Sequence, residues 1–469
     1  MRSLRSGTSS VRWRSEIAAT GKTLKILLIT YYWVPCGGVP VQRWLKLTKY
    51  LPQNNCFPTV LTTLNGDYPN IDFSLLNQVS NDVTVVRVKT PSFSKILQFF
   101  LGRNEKIPYG SLHTTKQDSL LKRIIYFLRV QFIVPDARRI WNKIAFKKAE
   151  EILRSGVYNA VITTGPPHST HLIGLKLKQK YNIKWIADFR DPWFNIHYNL
   201  NENRNIFIKK IDKYLENSVI KNADSIVAVS ESLVDTQISY ELRDSSYKVW
   251  VHLLLEKKAP NNTALKRKVK IIPNAFDPED YINKTYKRST NFRIKFVGAL
   301  FADRKQIVLD AINWIDEYAI INQIDNIEFS IIGENKKTQP TTKKIKINII
   351  PFIKHDAVIQ ECVNSEALLL VIVKTKNNEG LLTYKLFEYI GSKTYILGIG
   401  PDISTAKDIL QQTNSGKMTG YDDKEKFLSN FDSIYKKWLS CEDIKNKDDI
   451  SEFSLPENSK KYYGIISNI

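Results

Sequence analysis

Strand-length apolar runs alternate with segments of helical spacing along most of the chain, and this alternation limits the fold more than any other feature. The first example is the run LKILLIT at 24–30, followed by a turn with two glycines, a helical segment at 41–51 and an apolar run at 57–63. A strand, a turn, a helix and a second strand form a βαβ unit, whose strands are parallel. The repeated pattern therefore predicts an α/β protein with mostly parallel sheets.

The alternation occurs in two series, which predicts two domains. The first series ends with SIVAVS at 225–230, and the second begins with FRIKFVGAL at 292–300. A chain of 469 residues is too long for one ordinary core. We therefore predict two Rossmann-like domains that face a central cleft, with ligands at the carboxyl ends of the strands. The expected organisation is a disordered leader over 1–23, an N-terminal domain over 24–285, a C-terminal domain over 286–440, and a tail over 441–469 that could return to the N-terminal domain.

The charge of the chain favours an anionic partner. The 69 Lys and Arg residues exceed the 47 Asp and Glu residues, which gives a formal net charge of +22. This excess suits a nucleic acid, a phosphorylated substrate or an acidic membrane surface, and it does not choose among them. The densest basic region, at 95–154, has aromatic residues interleaved. That composition is typical of a lipid headgroup interface, or of a solvated helix face whose aromatic residues belong to the core.

Two further compositional features limit the class of protein to which the chain could belong. No apolar run approaches the length needed to span a membrane as a helix. The four cysteines lack paired spacing, so we expect neither a disulfide framework nor a zinc site. We also expect the protein to be in a reducing compartment.

The stretch GLLTYKLFEYIGSK at 380–393 contains an unexpected carboxylate, Glu388. Its neighbours one helical turn away include Lys385 and Gly391 and no aliphatic residue, so it lies on a polar face. Thr383 is a plausible N-cap, and the preceding loop would offer backbone N–H groups to a phosphate. A carboxylate beside such a site could accept hydrogen bonds from sugar hydroxyls, with Gly391 leaving room for the ligand. The alternative is a Glu388–Lys385 surface pair.

The same stretch resembles the donor-site motif of family 4-type glycosyltransferases of the GT-B fold, whose bacterial form reads roughly Pro-x-Lys-Leu-Phe-Glu-Tyr. The resemblance covers most of 24–440, and the segments that carry it include KILLITYYWVPCGGVPVQRW, PDARRIW, ITTGPPHSTHLIGLKLK, WIADFRDPW, ADSIVAVS, IIPNAFD and FVGAL. It implies a retaining glycosyltransferase, with the donor on the C-terminal domain and the acceptor on the N-terminal domain. The motif's glutamate holds the ribose of a nucleotide sugar, which implies that role for Glu388. The family's other glutamate has Gly380 in its place here, so the resemblance does not indicate the donor sugar.

The segment FVGALFADRK resembles the strand and loop that supply cations to the donor diphosphate. Of the two cationic positions, the first is Ala299 here and the second is Arg304, with Lys305 next to it. Cations are needed because negative charge grows on the leaving nucleoside diphosphate. Alternatively, Arg304 and Lys305 only begin a solvated helix. No Asp-x-Asp pair is placed to hold a metal in this domain, so we expect no metal and no other cofactor.

Three segments of the first domain carry further candidates. His168, in TTGPPHSTH, is expected at a helix N-terminus that faces the cleft and keeps its imidazole neutral. The resemblance implies that a histidine near here contacts the donor sugar, with His171 as the alternative to His168. Otherwise His168 is only a capping residue. The charged group at 188–191 is either an acceptor site at the cleft edge or a structural ion-pair network. Its members are Asp188, Arg190 and Asp191. The predicted catalytic residues are His168, Arg304 and Glu388, and the predicted donor-binding residues are Gly37, Gly38, Gly298, Arg304, Lys305, Leu382, Thr383, Lys385 and Glu388.

The leading hypothesis is therefore glycosyl transfer from a UDP- or GDP-type nucleotide sugar to an acceptor hydroxyl. A basic, aromatic first domain fits a glycan or lipid-linked acceptor at an anionic membrane surface. We accordingly expect a cytoplasmic protein, peripheral at the inner face of the plasma membrane, that acts in cell-surface polysaccharide assembly. One alternative is a nucleotide-sugar epimerase of the same fold. The other is a basic nucleic-acid-binding protein, although we expect no nucleic-acid partner because no recognition motif is present.

Overall fold

The computed structural model describes residues 22–68, 70–91, 127, 131–193, 204–230, 268–300, 303–334, 340–375 and 378–469. Most of the predicted leader and much of the basic region at 95–154 lie outside these residues.

The described chain contains two β-sheets whose strand pairs are all parallel. The first has seven strands in the order β3-β2-β1-β4-β5-β6-β7. These strands are β1 Leu24–Ile29, β2 Cys56–Thr63, β3 Thr84–Val88, β4 Ala160–Gly165, β5 Trp185–Phe189, β6 Ser225–Ala228 and β7 Val269–Ile271. The second has six strands in the order β10-β9-β8-β11-β12-β13. These are β8 Phe292–Val297, β9 Ile327–Ile332, β10 Lys346–Ile350, β11 Ala367–Val371, β12 Tyr395–Ile399 and β13 Gly416–Thr419.

Helices connect the strands, as parallel pairing requires. Those of the first series are α1 Val39–Tyr50, α2 Asn142–Ser155, α3 His171–Tyr181 and α4 Ile206–Asn222. Those of the second are α5 Asp303–Ile321, α6 His355–Val363, α7 Tyr384–Gly391, α8 Thr405–Gln412, α9 Lys424–Leu439 and α10 Leu455–Asn468. The predicted α/β class with two Rossmann-like sheets is confirmed. The sequence prediction lacked β3, β13, α8 and α10.

Each sheet has a point where the strand order reverses. In the first sheet β1 lies between β2 and β4, with Leu28 opposite Val60 on one side and Ile162 on the other. In the second sheet β8 takes the same position between β9 and β11. Loops after the two central strands diverge at such a point, and the crevice between them is where open parallel sheets bind ligands.

Apolar strands buried on both faces form the two cores. The first surrounds Trp141 and Trp185. The second surrounds Phe292, against which α9 packs the rings of Phe431 and Trp438 at centroid distances of 5.6 and 5.5 Å. The residues of α9 that face this core recur at helical spacing, which explains why a segment with many lysines forms a stable helix there.

Contacts divide the chain into two units, which are described separately. The first comprises 1–229, 233–272 and 458–469, and the second comprises 230–232 and 273–457. The second unit thus begins before the predicted boundary at 286. The reason is packing within that unit, since the Phe276 N–H donates to the Phe453 carbonyl at 3.0 Å and the Tyr281 hydroxyl donates to the Glu388 carbonyl at 2.6 Å. The predicted tail over 441–469 is split between the units.

The end of the chain is held in the first unit by polar contacts. Asn54 donates to the Ser459 hydroxyl at 2.7 Å, and the buried Tyr462 hydroxyl donates to Asp188 at 2.8 Å. Within the described residues, no helix combines the length and the apolar character that crossing a membrane requires.

Candidate functional site

Glu388 is the central residue of a buried ion-pair cluster in the second unit. Its side chain lies on α7 and is only 4% exposed. Its Oε1 lies 2.9 Å from His355 Nε2, and its Oε2 accepts from Lys385 Nζ at 2.7 Å. Burial alone would raise the pKa of this carboxyl, but Lys385 and the hydrogen bond with His355 outweigh it and lower the pKa to about 2. The predicted Glu388–Lys385 pair therefore exists, and its carboxylate is buried rather than on the surface.

His355 is a member of this cluster that the sequence analysis missed. It is the first residue of α6, which begins after β10, and the packing of α6 against α7 brings it to Glu388. A histidine at a helix start was the only signal in the sequence. A carboxylate has about four lone-pair positions. His355 occupies one lone-pair position of Oε1, and Lys385 occupies one of Oε2. Each oxygen therefore keeps one further lone pair, and two such acceptors match the two hydroxyls of a vicinal diol.

The space beside Gly391 is filled, which corrects the expectation that it leaves room for a ligand. A Cβ on Gly391 would lie 2.7 Å from ring atoms of Tyr281. Glycine is required there because the Tyr281 ring packs directly on α7 and donates its hydroxyl hydrogen to the Glu388 carbonyl. Tyr281 thus packs against α7 beside Gly391 and fixes the helix in place.

The loop before α7 takes the predicted helix-start geometry with one difference. Thr383 is the N-cap residue, with extended backbone, but its hydroxyl makes no capping bond. That hydroxyl oxygen is buried, and none of the described residues is its hydrogen-bond partner. The Leu382 side chain packs into the apolar core with Leu386 and Phe387, so only its backbone is able to face a ligand. The start of α7 therefore presents a buried hydroxyl that a bound polar group could satisfy.

Arg304 lies close to the loop at the end of β8. Gly298 has φ 147°, a conformation that favours glycine, and Arg304 Nη1 would lie 4.0 Å from a Cβ placed on it. The Val297 N–H donates to the Tyr389 hydroxyl of α7 at 3.0 Å, which joins this loop to the Glu388 helix. Burial lowers the pKa of Arg304, although its guanidinium stays charged. The structure thus brings Gly298 and Arg304 to α7, whereas Lys305 is exposed on α5.

Glu334 holds the β8 loop in place and was not found from the sequence. Its Oε2 accepts from the Leu300 N–H at 2.7 Å, across the ends of the adjacent strands β8 and β9. Gly333 has φ 97°, and a Cβ on it would lie 3.7 to 3.9 Å from the Gly298 backbone. The two loops therefore pack closely at the carboxyl edge of the second sheet.

His168, which was expected to face a cleft, is buried in the first unit. It lies in a short 3-10 turn, with Nε2 3.1 Å from the Pro192 carbonyl. Its ring stacks on Trp193 at a centroid distance of 5.2 Å. Burial, the neighbouring His171 and Arg190 hold the pKa of His168 well below its usual value. The imidazole is thus neutral because it is buried in an aromatic stack, and not because of a helix N-terminus.

The two buried histidines should make the first unit sensitive to acid. Burial, with a smaller contribution from Arg190, lowers the pKa of His171 to about 3. Below the unfolded pKa of about 6.5 the unfolded chain binds more protons than the folded one, so stability falls as the pH decreases. We expect the free energy of unfolding to drop by about 2 kcal/mol per histidine between pH 7.5 and pH 5, measured by urea denaturation.

The comparison for this prediction is the double variant His168→Gln/His171→Asn. Burial raises the pKa of the nearby Asp212 to about 6, which works in the opposite direction over the same pH range. The difference between the native chain and the variant therefore isolates the histidines. Equal pH dependence in both proteins would contradict the assignment.

Asp188 belongs to a structural network. Of the two predicted alternatives, an acceptor site and an ion-pair network, its contacts match the network. It is fully buried on β5. Its Oδ1 accepts from Tyr462 at 2.8 Å and lies 3.4 Å from Arg43 Nη2. Its Oδ2 accepts from Trp44 Nε1 at 2.7 Å and from the Thr164 hydroxyl at 2.8 Å. With both oxygens occupied, Asp188 is not an acceptor-binding residue.

Arg190 is also structural. Its Nε donates to the Gly165 carbonyl at 3.2 Å, its Nη2 to the Pro166 carbonyl at 2.6 Å, and its Nη1 to the Pro40 carbonyl. It thereby ties the loop after β4 to the start of α1. Asp191 is half-buried beside it.

The two glycines after β1 serve the start of α1. Gly38 is its N-cap residue with φ 80°, a conformation that other residues rarely adopt. Gly37 donates its N–H to the Asn70 carbonyl at 2.9 Å, and a Cβ on it would lie 3.1 Å from that of Asp72. These residues and His168 lie in the first unit, and the other predicted donor-site residues lie in the second. In the part of the chain that the structure describes, no group of three or more His, Cys, Asp or Glu side chains could hold a metal ion.

Comparisons with known proteins establish the fold. No family model and no curated protein sequence matches the chain. Among solved structures, the UDP-forming alpha,alpha-trehalose-phosphate synthase of Burkholderia xenovorans aligns with a TM-score of 0.58 at 10% identity, over 96% of this chain and 99% of that one. HepE of Anabaena, solved in complex with UDP-glucose, aligns with a TM-score of 0.55 at 11% identity, over 95% of this chain and 100% of that one.

Sucrose-phosphate synthase of Thermosynechococcus elongatus aligns with a TM-score of 0.52 at 12% identity, over 94% of each chain. The chain has the fold of these glycosyltransferases. The GT-B fold implied by the resemblance is confirmed, and the likeness covers nearly the whole chain.

Proposed function

We propose that the protein is a retaining glycosyltransferase that moves a sugar from a UDP- or GDP-type nucleotide sugar to an acceptor hydroxyl. The observation that carries the proposal is the buried Glu388 carboxylate. It is kept anionic by Lys385 and His355, and its helix is joined to the end of β8, before the Arg304 loop, by the hydrogen bond between Tyr389 and Val297. A buried charge with vacant lone pairs at the carboxyl edge of a parallel sheet suits a polar ligand rather than a core.

In the proposed site, each group performs one step in binding or charge stabilisation. Glu388 accepts hydrogen bonds from the two ribose hydroxyls, using the lone pairs that Lys385 and His355 leave vacant. The buried Thr383 hydroxyl and the backbone N–H groups at the start of α7 bind the diphosphate. Arg304, close to Gly298 after β8, stabilises the charge that grows on the leaving diphosphate. The sugar–phosphate bond breaks as the acceptor oxygen bonds to the anomeric carbon, and the proton of the acceptor hydroxyl passes to the oxygen of the leaving nucleoside diphosphate.

We propose that this chemistry needs no metal. A guanidinium and a helix N-terminus both place positive charge where a divalent cation would otherwise neutralise the diphosphate. The partly buried position of Arg304 strengthens its attraction for an anionic ligand, because the local dielectric constant is lower than in water.

We propose that the acceptor is a glycan or a lipid-linked glycan. We further propose that the protein is cytoplasmic, lies at the inner face of the plasma membrane as a peripheral protein, and acts in cell-surface polysaccharide assembly. The support is the net charge of +22 and the resemblance described above. Asp188 and Arg190 are no longer candidates for acceptor contact, since their polar atoms are used within the fold.

A panel of UDP- and GDP-sugars tests the proposal. We expect nucleotide sugars with one of the two bases to raise the melting temperature of the native protein, and Glu388→Gln to abolish most of that shift. Glu317→Gln is the matched control, because Glu317 is an exposed carboxylate of the same unit paired with Lys424. No shift with any nucleotide sugar would refute the proposed function.

Transfer is separated from epimerisation by following a labelled sugar. Movement of the label from the nucleotide to a lipid or glycan fraction, with release of the nucleoside diphosphate, supports transfer. Recovery of the label as an epimerised sugar or nucleotide sugar, with no acceptor required, would instead support the epimerase alternative.

A further inference from the structure

Helix α4 carries a stripe of apolar residues on the outside. Phe207, Ile211 and Tyr214 are 69%, 48% and 70% exposed. Their spacing of four and then three residues places them in one stripe along the helix. The opposite face holds Asp212, Glu216 and Val219, all buried. A helix on the surface of a protein normally presents polar residues to solvent, so this apolar stripe requires an explanation other than the core of the first unit.

The inverted orientation is held by specific contacts. Asp212 Oδ1 accepts from Trp193 Nε1 at 2.8 Å, and its Oδ2 accepts from Arg204 Nη1 at 2.8 Å. A rotation of α4 that buried the stripe would break both bonds and expose the ring of Trp193. The stripe is therefore a permanent surface of the folded unit.

Further exposed aromatic residues lie beside the beginning of the helix. The Asn205 N–H donates to Gln131 Oε1 at 2.8 Å, which places the exposed Phe132 close to Phe207. Phe127, Phe132 and Phe207 line one shallow depression of about 530 Å³. We call the exposed apolar set the α4 surface, and its members are Phe127, Phe132, Ile206, Phe207, Ile211 and Tyr214.

Three lysines lie beside the α4 surface. Lys209 and Lys210 are exposed and Lys213 is partly exposed. The only carboxylates of α4 are Asp212 and Glu216, which point inward. Exposed apolar and aromatic side chains with lysines nearby are typical of a surface that binds an anionic lipid interface.

We propose that the α4 surface docks the protein on an anionic phospholipid bilayer. The aromatic and aliphatic side chains enter the boundary between headgroups and acyl chains, and the three lysines contact lipid phosphates. A second copy of this chain is a poorer occupant, because an isologous contact would bring the same lysines face to face. The inference rests on the proposed function, since an acceptor held in a membrane is what gives the enzyme a reason to dock there.

The test is flotation of the full-length protein with vesicles of phosphatidylcholine and phosphatidylglycerol in a 7:3 ratio. We expect binding to these vesicles, much weaker binding to pure phosphatidylcholine, and a decrease with added salt. Phe207→Ser/Ile211→Ser/Tyr214→Ser should lower the partition coefficient about tenfold or more. Lys209→Gln/Lys210→Gln/Lys213→Gln should lower it roughly fivefold per lysine at low ionic strength.

A matched control is Phe73→Ser/Val157→Ser, which removes two exposed apolar side chains elsewhere in the same unit. This variant should bind vesicles as the native protein does. Far-UV circular dichroism and thermal unfolding verify that each variant is folded, which is expected since all the changed side chains are largely solvent-exposed. In the Tyr214→Trp variant, tryptophan emission should shift to the blue on addition of anionic vesicles and be quenched by brominated lipids.

The outcomes separate this inference from the proposed function. Binding is measured without any nucleotide sugar, and donor binding is measured separately by thermal shift without vesicles. Vesicle binding through the α4 surface with no response to any nucleotide sugar would sustain the surface and remove the glycosyltransferase proposal. Native vesicle binding by the triple serine variant would overturn the surface assignment. The assignment would also be overturned if the native protein bound no vesicles and formed a dimer through the α4 surface, as measured by sedimentation velocity.

Discussion

Replacing Glu388 by glutamine lowers kcat/KM for the nucleotide-sugar donor roughly a thousandfold. Each hydrogen bond to a charged acceptor contributes about 1.5–3 kcal/mol, and the proposed site has two, one to each ribose hydroxyl. A glutamine has one carbonyl oxygen and an amide that donates, so it cannot accept on both sides. The measurement is steady-state kinetics with the donor identified in the panel, and most of the loss should fall on donor affinity.

Two controls make this result specific. The Glu388 side chain is buried against Lys385, so the variant leaves a cation without its partner, and its thermal unfolding without ligand must be recorded. His355→Gln keeps a donor near Glu388 Oε1 and should cost much less than Glu388→Gln. A folded Glu388→Gln protein with native kcat/KM would show that the donor binds elsewhere.

Replacing Asp188 by alanine destabilises the first unit by about 3–5 kcal/mol, because it removes a buried carboxylate that is paired with the buried Arg43 guanidinium. The same change removes the acceptor for Trp44, Thr164 and Tyr462. For a unit of this size the loss corresponds to a fall in melting temperature of about 10 °C. Urea denaturation followed by intrinsic fluorescence measures the effect.

Tyr462→Phe is the variant with which the destabilisation by Asp188→Ala is compared. It keeps the Arg43–Asp188 pair and removes only the hydroxyl that donates to Asp188 and accepts from Arg43 at 3.0 Å. We expect it to cost about 1–2 kcal/mol. If Asp188→Ala instead unfolded like the native protein and lost only glycosyl transfer, the carboxylate would be an acceptor ligand, the alternative that the contacts argue against.

Local periodicity was enough to predict the fold class. The apolar runs that became β1, β8 and β11 are buried on both faces, and runs of that kind occur in parallel sheets covered by helices. The same spacing placed Glu388 on the polar face of α7. These predictions succeed because the period of a strand or a helix directly determines which residues share a face.

The sequence could not predict the partners of these residues. His355 and Glu388 are separated by 33 positions, and Asp188 and Tyr462 by 274. Spacing along the chain carries no information about such pairs, because the packing of separate elements creates them. For the same reason the sequence predicted an open space beside Gly391, where the Tyr281 ring lies.

The sequence by itself therefore determined two parallel α/β sheets, their glycine-containing turns and a carboxylate on the polar face of a short helix. Only the tertiary structure decided what each charge does. It turned Asp188 and Arg190 inward to bonds within the fold, it held Glu388 as a buried anion between Lys385 and His355, and it left the apolar stripe of α4 outside. The physical reason is that the free energy of a charged or apolar side chain depends on the groups packed around it, and those groups come from distant parts of the chain.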